Sequence, residues 1–426
     1  MTTAIVAIFV VAYAAIALEH IVRINKAAVA LVGAGLLWTV YALMSVDPGA
    51  VGHQLDESVS STAQIIFFLI GAMTIVEVID AHNGFEVITS LVRTSRQVTL
   101  LWLVGLITFF LSAVLDNLTT TIVMVSLMRK LLGREEDRLF FVSMIVIAAN
   151  AGGAWSAIGD VTTTMLWIGG QITPLAIMKG VFIPSLINLL LPLLLVSYVL
   201  RGQPVVAPVQ SLVSGRPIRR FERNLIFFLG LGILILVPVF KAVTHLPPFM
   251  GILFGLGILW TVGELLHREK PSDERRHLTL AHALTRIDMA SVVFFIGILL
   301  AVATLEHARI LAALAQWLDL NVGRLDGIVV LLGLVSAVVD NVPLVAAAIG
   351  MYSLSQHPPD SFLWEFIAYC AGTGGSILII GSAAGVAAMG LEKIQFFWYL
   401  RKISGLALLG YAGGCVAYIV QYHLIH

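Results

Sequence analysis

The segment Ser112-Ala113-Val114-Leu115-Asp116-Asn117 recurs 224 positions later as Ser336-Ala337-Val338-Val339-Asp340-Asn341, with five identities in six, in a chain of 426 residues. Both copies interrupt long apolar runs. A carboxylate inside such a run is costly in hydrocarbon unless it faces a cavity, a partner or an ion, so it marks a functional site by default. The repetition predicts two related halves of one site.

The composition around these segments is that of a membrane protein. Apolar residues make up 59% of the chain and charged residues 12%, against about 25% charged in a soluble domain. Apolar runs of roughly 17 or more residues recur along the whole length. The chain is therefore predicted to be an all-α polytopic membrane protein.

Charge, cysteine content and motifs exclude several other classes of protein. The 25 basic and 25 acidic residues cancel, which indicates neither nucleic acid nor a uniformly acidic partner. Two cysteines, Cys370 and Cys415, give no disulfide framework and no cysteine metal site. The chain has no Walker loop, no His-Glu-x-x-His and no Gly-x-Ser-x-Gly, so no soluble-enzyme signature is present.

Residues 1–200 are predicted to form the first of two repeats. The apolar stretch at about 98–132 is interrupted by polar residues from Asp116 to Thr120, and basic residues flank it at both ends. This pattern favours a re-entrant hairpin with its tip near mid-membrane, where non-helical backbone is tolerated beside protein or water. A second interruption, rich in Gly, hydroxyls and acid, predicts that the span at about 139–170 is a broken helix. The remaining spans are predicted at roughly 2–18, 27–45, 63–80 and 178–200.

Residues 224–426 repeat this plan after a predicted cytoplasmic linker at 201–223. A hairpin is predicted at about 326–354 with Asp340 at its tip, and a broken helix at about 361–388. The pair Gly374-Gly375 in this break follows Gly152-Gly153 by 222 positions, so matching parts share nearly one offset. The other spans are predicted at roughly 224–241, 249–266, 288–304 and 396–421.

Each half thus holds five transmembrane helices, one of them broken, and one hairpin. Because five is odd, the second half enters from the opposite side, and the repeats are predicted to be inverted with the substrate near the midplane between them. If the N-terminus is external, 21 of the 25 Lys and Arg fall in inner segments, in agreement with the positive-inside rule. The four in outer segments are Lys179, Lys241, Arg309 and Arg324.

Three intramembrane aspartates, Asp116, Asp160 and Asp340, are the strongest candidate functional residues. The alternative is that each belongs to a structural salt bridge. No Lys or Arg lies near any of them in the sequence, which favours the functional interpretation.

The paired motifs resemble those of a known family. The inverted repeats with hairpins and broken helices resemble the ion transporter superfamily. Within it, Leu115-Asp116-Asn117-Leu118-Thr119-Thr120, Gly159-Asp160-Val161-Thr162-Thr163-Thr164 and Val339-Asp340-Asn341-Val342-Pro343 look like NhaD-type sodium/proton antiporters. The resemblance covers nearly the whole chain. It implies exchange of Na⁺, and also Li⁺, for H⁺ by a secondary transporter that is not an enzyme and needs no cofactor, and it is compatible with a homodimer.

The side chains at these interruptions suit a hard cation, which prefers oxygen ligands. Dicarboxylate carriers of the superfamily resemble this plan but use Ser-Asn-Thr at the hairpin tips, whereas this chain has Asp at both. Carboxylates also bind protons, so the three aspartates can hold either Na⁺ or H⁺, and this competition suffices for exchange. Neutral ligands are expected from the amides and hydroxyls of Asn117, Thr119, Asn150, Thr162, Thr163, Asn341, Ser376 and Ser382.

Two alternatives remain open at the level of sequence. Another superfamily cargo, such as arsenite or an organic anion, would be favoured by a basic residue facing the tips, and the sequence shows none there. A membrane enzyme or a structural subunit would be favoured by a nucleophile and a base lining one cavity. The chain is expected to reside in a membrane as a multi-pass protein, with a bacterial inner (plasma) membrane as the predicted location.

Overall fold

The computed structural model describes residues 2–17, 19–45, 48–89, 92, 94–206, 218–271 and 275–425, so part of the predicted linker at 201–223 lies outside the described residues. The described chain is almost entirely helical and contains no β-strand. In chain order, its α-helices are α1 (Thr2–Ala17), α2 (Glu19–Val22), α3 (Lys26–Met44), α4 (Pro48–Ala81), α5 (Glu86–Thr89), α6 (Gln97–Leu115), α7 (Asn117–Leu131), α8 (Glu135–Ala154), α9 (Val161–Ile168), α10 (Pro174–Val199), α11 (Arg220–Thr244), α12 (Pro248–Leu266), α13 (Leu280–Leu284), α14 (Met289–His307), α15 (Ile310–Asn321), α16 (Leu325–Val335), α17 (Asn341–Met351), α18 (Phe362–Gly374), α19 (Ala383–Glu392), α20 (Phe396–Lys402) and α21 (Ser404–Ile425).

Nine helices of the described chain are long and apolar enough to cross a membrane, namely α3, α4, α6, α8, α10, α11, α12, α14 and α21. Large apolar side chains cover the outside of the bundle, such as Leu43 and Leu320 with 80% and 85% of their surface exposed. Such a surface is stable when it faces lipid. The prediction of an all-α polytopic membrane protein is confirmed. The helix α1, with 16 residues, is the shortest of the predicted spans.

Four helices begin at interruptions that the sequence singles out, and each is capped by a polar side chain. Asp116 accepts from Thr119 N at 2.8 Å at the start of α7, and Asp160 accepts from Thr162 N at 3.0 Å at the start of α9. Asp340 and Ser382 cap α17 and α19 in the same way. Short polar side chains at the N-cap satisfy amides that have no partner within the helix, which explains why the helices begin there.

The helices α6 and α7 run as a hairpin whose two bases lie together. Gln97 N donates to Gln203 O at 3.1 Å, and Gly133 N donates to Val206 O at 2.8 Å. One short stretch of backbone therefore contacts both the beginning of α6 and the end of α7. The two ends of the α6–α7 segment therefore lie close together.

Equivalent contacts occur within each half of the chain, and their residue numbers differ by a nearly constant offset. The Ser112 hydroxyl donates to Ala149 O at 2.6 Å, and the Ser336 hydroxyl donates to Ala371 O at 2.8 Å. Gly152 in α8 lies so close to α6 that an added Cβ would stand 2.2 Å from Phe109 O. Its counterpart in α18 is equally close to α16, because an added Cβ on Gly374 would stand 2.0 Å from Gly333 O. These repeated small-residue contacts hold each broken helix against its hairpin.

Two segments differ from the sequence-based expectation. The predicted last span at 396–421 consists of α20 and α21, which meet at Ile403. The acidic residues Asp56 and Glu57, expected in a loop before the third span, lie within the first three turns of α4. A polar segment can continue a helix beyond the apolar core, so hydropathy alone places the helix start too late.

Candidate functional site

The centre of the site is the carboxylate of Asp160, on which the two hairpin tips converge. Asn117, from the first tip, donates through Nδ2 to Asp160 Oδ2 at 2.7 Å. Asn341, from the second tip, donates through Nδ2 to the same oxygen at 3.1 Å. Asp160 is 98% buried. Residues from both halves of the chain thus meet at one acidic group.

Asn150 of α8 extends this network to the second broken helix. Its Oδ1 accepts from Asn117 Nδ2 at 3.0 Å, and its Nδ2 donates to the hydroxyls of Ser376 and Ser382, each at 2.9 Å. All of these side chains are buried. Buried polar groups are stable only when hydrogen-bonded, so this chain of amides and hydroxyls fixes the positions of the four interruptions relative to one another.

Asp116 lies in a strained backbone conformation at the first tip. Its φ is +89°, in the region that favours glycine, and such a residue costs about 1–3 kcal/mol. Both carboxylate oxygens accept from Thr119, one from the main-chain amide and one from the hydroxyl, each at 2.8 Å. The strain and the bonds together hold this carboxylate at the tip.

Asp116 and Asp160 line one small cavity of about 50 Å³. Asn117, Thr119 and Thr164 contribute to its polar wall. A cavity of roughly 10–15 Å³ by this measure holds one water. The space therefore suits a small cation with a few waters.

A larger cavity of about 340 Å³ adjoins this one and shares Met73, Leu118 and Thr119 with it. Its wall carries Glu77, whose Oε1 lies 2.8 Å from Arg286 Nε. The other charged residues of the wall are Asp80, Glu86, Lys130 and Asp288. The charge of this larger cavity is mixed but mainly acidic.

The remaining predicted hydroxyls lie on the first turn of α9. Thr163 donates to Asp160 O at 2.9 Å, and Thr162 supplies the amide that Asp160 caps. Both residues are buried. The structure therefore places every predicted neutral ligand in contact with one of the aspartates or with another member of the network.

Asp340 has a different environment from the other two aspartates. Its Oδ2 lies 3.1 Å from Nζ of Lys26, at the start of α3. The expectation that no basic residue faces the tips is therefore wrong for the second tip. The sequence could not show this pair, because 314 positions separate its members. Within the described chain, Asp116 and Asp160 form no ion pair.

An apolar helical bundle whose interrupted helices converge on buried carboxylates has the architecture of a secondary transporter. Comparison with known proteins agrees with this class. Residues 13–370 match the family model described as citrate transporter, and the chain belongs to this family.

The most informative relatives are named sodium/proton antiporters. Sodium/proton antiporter 1 of Arabidopsis thaliana is 50% identical over 98% of this chain and 72% of its own length. Sodium/proton antiporter 2 of the same plant is 46% identical over 98% of this chain and 99% of its own length. The Na(+)/H(+) antiporter NhaD of Vibrio cholerae is 31% identical over 98% and 91%. These matches confirm the resemblance to NhaD-type antiporters, which are transporters and not enzymes.

Proposed function

We propose that the protein exchanges Na⁺ for H⁺ across its membrane, with Asp116 and Asp160 as the groups for which the two ions compete and Asp340 completing the charge of the site. The observation that carries this proposal is the convergence of both hairpin tips on the buried carboxylate of Asp160, in a cavity that Asp116 also lines. The names of the relatives support the same pair of ions.

The helix caps explain why this site favours a cation. The N-terminus of a helix carries a partial positive charge and attracts anions. Here three of the four interrupted helices are capped by the carboxylates of Asp116, Asp160 and Asp340. The chain thus occupies its own anion sites, and the negative charge of Asp116 and Asp160, which form no ion pair within the described chain, is available to a cation or to protons.

Size and charge argue against an organic anion as the cargo. Pockets for ligands of that size usually measure about 300–1,000 Å³, whereas the cavity at Asp116 and Asp160 measures about 50 Å³. Among the described residues, the basic side chain at the tips is that of Lys26, and it is already paired with Asp340. An anion would therefore meet two carboxylates without a free cation beside them.

A vesicle assay tests the proposed exchange. In vesicles that contain the protein and hold an imposed pH gradient, addition of Na⁺ or Li⁺ is expected to collapse the gradient, while K⁺ and choline leave it intact. Sodium citrate should act no better than sodium chloride at equal Na⁺. Collapse by choline salts of citrate or arsenite, and none by NaCl, would instead identify an anion carrier.

The hydroxyl groups near the aspartates are expected to strengthen Na⁺ binding unequally in the two halves. The apparent Na⁺ constant is the Na⁺ concentration that gives half-maximal gradient collapse. We expect it to rise about tenfold in each of Thr119→Ala, Thr162→Ala and Thr163→Ala, if one ligand contributes roughly 1.4 kcal/mol. Ser382→Ala should have a smaller effect, because the Ser382 hydroxyl accepts from Asn150 and is connected to Asp160 only through Asn150 and Asn117. Titration of gradient collapse against Na⁺ measures all four variants. Equal effects in the two halves would contradict the proposed asymmetry.

We also propose the two inverted repeats, 1–200 and 224–426, with the 201–223 linker and the 268–286 segment on the cytoplasmic side. Contacts between distant segments support this arrangement, because they join ends assigned to the same side. His82 Nε2 lies 2.8 Å from His267 Nε2 at the proposed inner ends of α4 and α12. Thr173 donates from its hydroxyl to Asp360 Oδ2 at 2.9 Å at the proposed outer ends.

Labelling of single cysteines tests this topology. In a background without Cys370 and Cys415, cysteines at Arg201 and Arg276 are expected to react only from the cytoplasmic side. Cysteines at Glu57 and Ser355 should react only from the outside. Labelling of Arg201 and Arg276 from opposite sides would show that the number of spans in the second half is wrong.

Three finer points belong to the same proposal. Li⁺ should share the path of Na⁺, since both are small hard cations, and a homodimer is compatible with the resemblance to the superfamily. The relatives come from a plant and from bacteria, so they do not favour the bacterial inner membrane over another one.

A further inference from the structure

Lys26 connects the first turn of α3 to the tip of the second hairpin. Its ammonium lies 3.1 Å from Asp340 Oδ2 and 4.4 Å from the ring centroid of Phe294. The side chains of Lys26 and Asp340 are 21% and 11% exposed. The ammonium is thus held by a carboxylate and an aromatic face in a largely buried position.

The groups around this pair leave Asp340 as the direct partner of the ammonium. The Glu19 carboxylate accepts from the main-chain amide of Lys26 at 3.1 Å. Lys26 also lines a cavity of about 220 Å³ together with Glu19 and Asp288.

This cavity adjoins the one at the aspartates. Both are lined by Leu118, Ser291 and Ala383. Asn341, the residue that follows Asp340, donates to Asp160 Oδ2 at 3.1 Å. A change in the charge of the Lys26–Asp340 pair would therefore be felt by a cation bound at Asp160.

We propose that Lys26 is a positioning residue for cation exchange, whose ammonium neutralises Asp340 and so limits the negative charge that Na⁺ meets at the site. This inference rests on the proposed function. It divides the three aspartates into two that have no cationic partner among the described residues, Asp116 and Asp160, and one whose charge Lys26 cancels. Lys26 acts through Asp340 and need not touch the transported ion.

The pair makes a specific electrostatic prediction, because removing either member leaves the other charge uncompensated. Lys26→Met keeps the aliphatic stem over Phe294 and removes the positive charge, so the site becomes more negative and the apparent Na⁺ constant should fall. Asp340→Asn leaves the ammonium alone, so the constant should rise. The double variant removes both charges and should return the constant toward the wild-type value.

The measurement is the apparent Na⁺ constant and the maximal rate of exchange in proteoliposomes at one fixed pH. Shifts of about tenfold in opposite directions are expected for the single variants, equivalent to roughly 1.4 kcal/mol each. The maximal rate should change less than the constant. Lys26→Arg, which keeps the charge, should stay near wild type, and Lys402→Gln removes an exposed lysine as the matched control.

The outcome separates an electrostatic role from a purely structural one. If the pair only holds the tip in place, both single variants should raise the apparent Na⁺ constant. Lys26→Arg should then not restore the wild-type value. That result, or a double variant no closer to wild type than the singles, overturns the inference. Where Lys26→Met does not accumulate as folded protein, Lys26→Gln provides the same charge deletion. If the wild-type protein itself shows no Na⁺-driven proton movement, the proposed function fails instead.

Discussion

Asp160→Asn is expected to abolish Na⁺-driven proton movement while leaving the protein folded in the membrane. The amide keeps the size of the carboxylate, but it neither binds a proton at physiological pH nor offers a full negative charge to Na⁺. The variant also places an amide where Asn117 and Asn341 both donate. Gradient collapse after Na⁺ addition, followed with a pH-sensitive dye in vesicles, measures the loss.

Glu365→Gln is the matched control for this experiment. Glu365 is another buried carboxylate within the helical bundle, and it accepts from the Tyr418 hydroxyl at 3.1 Å. It lines neither of the cavities next to Asp160. Exchange is expected to persist in Glu365→Gln, and an equal loss in both variants would point to a general cost of removing buried charge.

The second large effect is expected from pH. If one proton must leave before Na⁺ binds, the apparent Na⁺ constant should fall about tenfold for each unit that the pH rises, throughout the range in which the proton competes. Two competing protons would give a steeper dependence. The constant is obtained from Na⁺ titrations of gradient collapse at a series of pH values with the protein and lipid held constant.

The dependence of the apparent Na⁺ constant on pH should arise from the carboxylates of Asp116 and Asp160 at the small cavity, and not from the neighbouring hydroxyls. Thr162→Ala should raise the Na⁺ constant at every pH while leaving its slope against pH unchanged, because a hydroxyl does not titrate in this range. A wild-type constant that is independent of pH would contradict competition, even if Na⁺ and H⁺ were still exchanged.

Much of the fold follows from local features of the sequence. Hydropathy predicts the spans, and the polar interruptions coincide with the four helix starts because Asp and Ser are favourable N-caps. The repetition of Ser112 and Ser336 anticipates equivalent hydrogen bonds to Ala149 and Ala371 in the structure. The break at Ile403 is not predicted in this way, because the short pair Ser404-Gly405 interrupts the apolar run too briefly to change its hydropathy.

The sequence predicts which residues belong to the site, but it does not predict which of them contact one another. The sequence points to all three aspartates, yet it does not show that both tips contact Asp160 or that Lys26 contacts Asp340. Both facts depend on contacts between residues 43 to 314 positions apart. A lysine at the start of an apolar helix is expected to be an interfacial residue under the positive-inside rule, and only the folded chain shows that the Lys26 ammonium lies 3.1 Å from Asp340 Oδ2.

A double variant tests directly whether Na⁺ and H⁺ share Asp116 and Asp160. Purified wild-type protein and Asp116→Asn/Asp160→Asn are reconstituted in proteoliposomes with an imposed pH gradient, and Na⁺ uptake and gradient collapse are recorded together. The wild type is expected to couple the two fluxes, and the double variant to show neither above the level of empty liposomes. A double variant that still dissipates the pH gradient when Na⁺ is added would contradict the account.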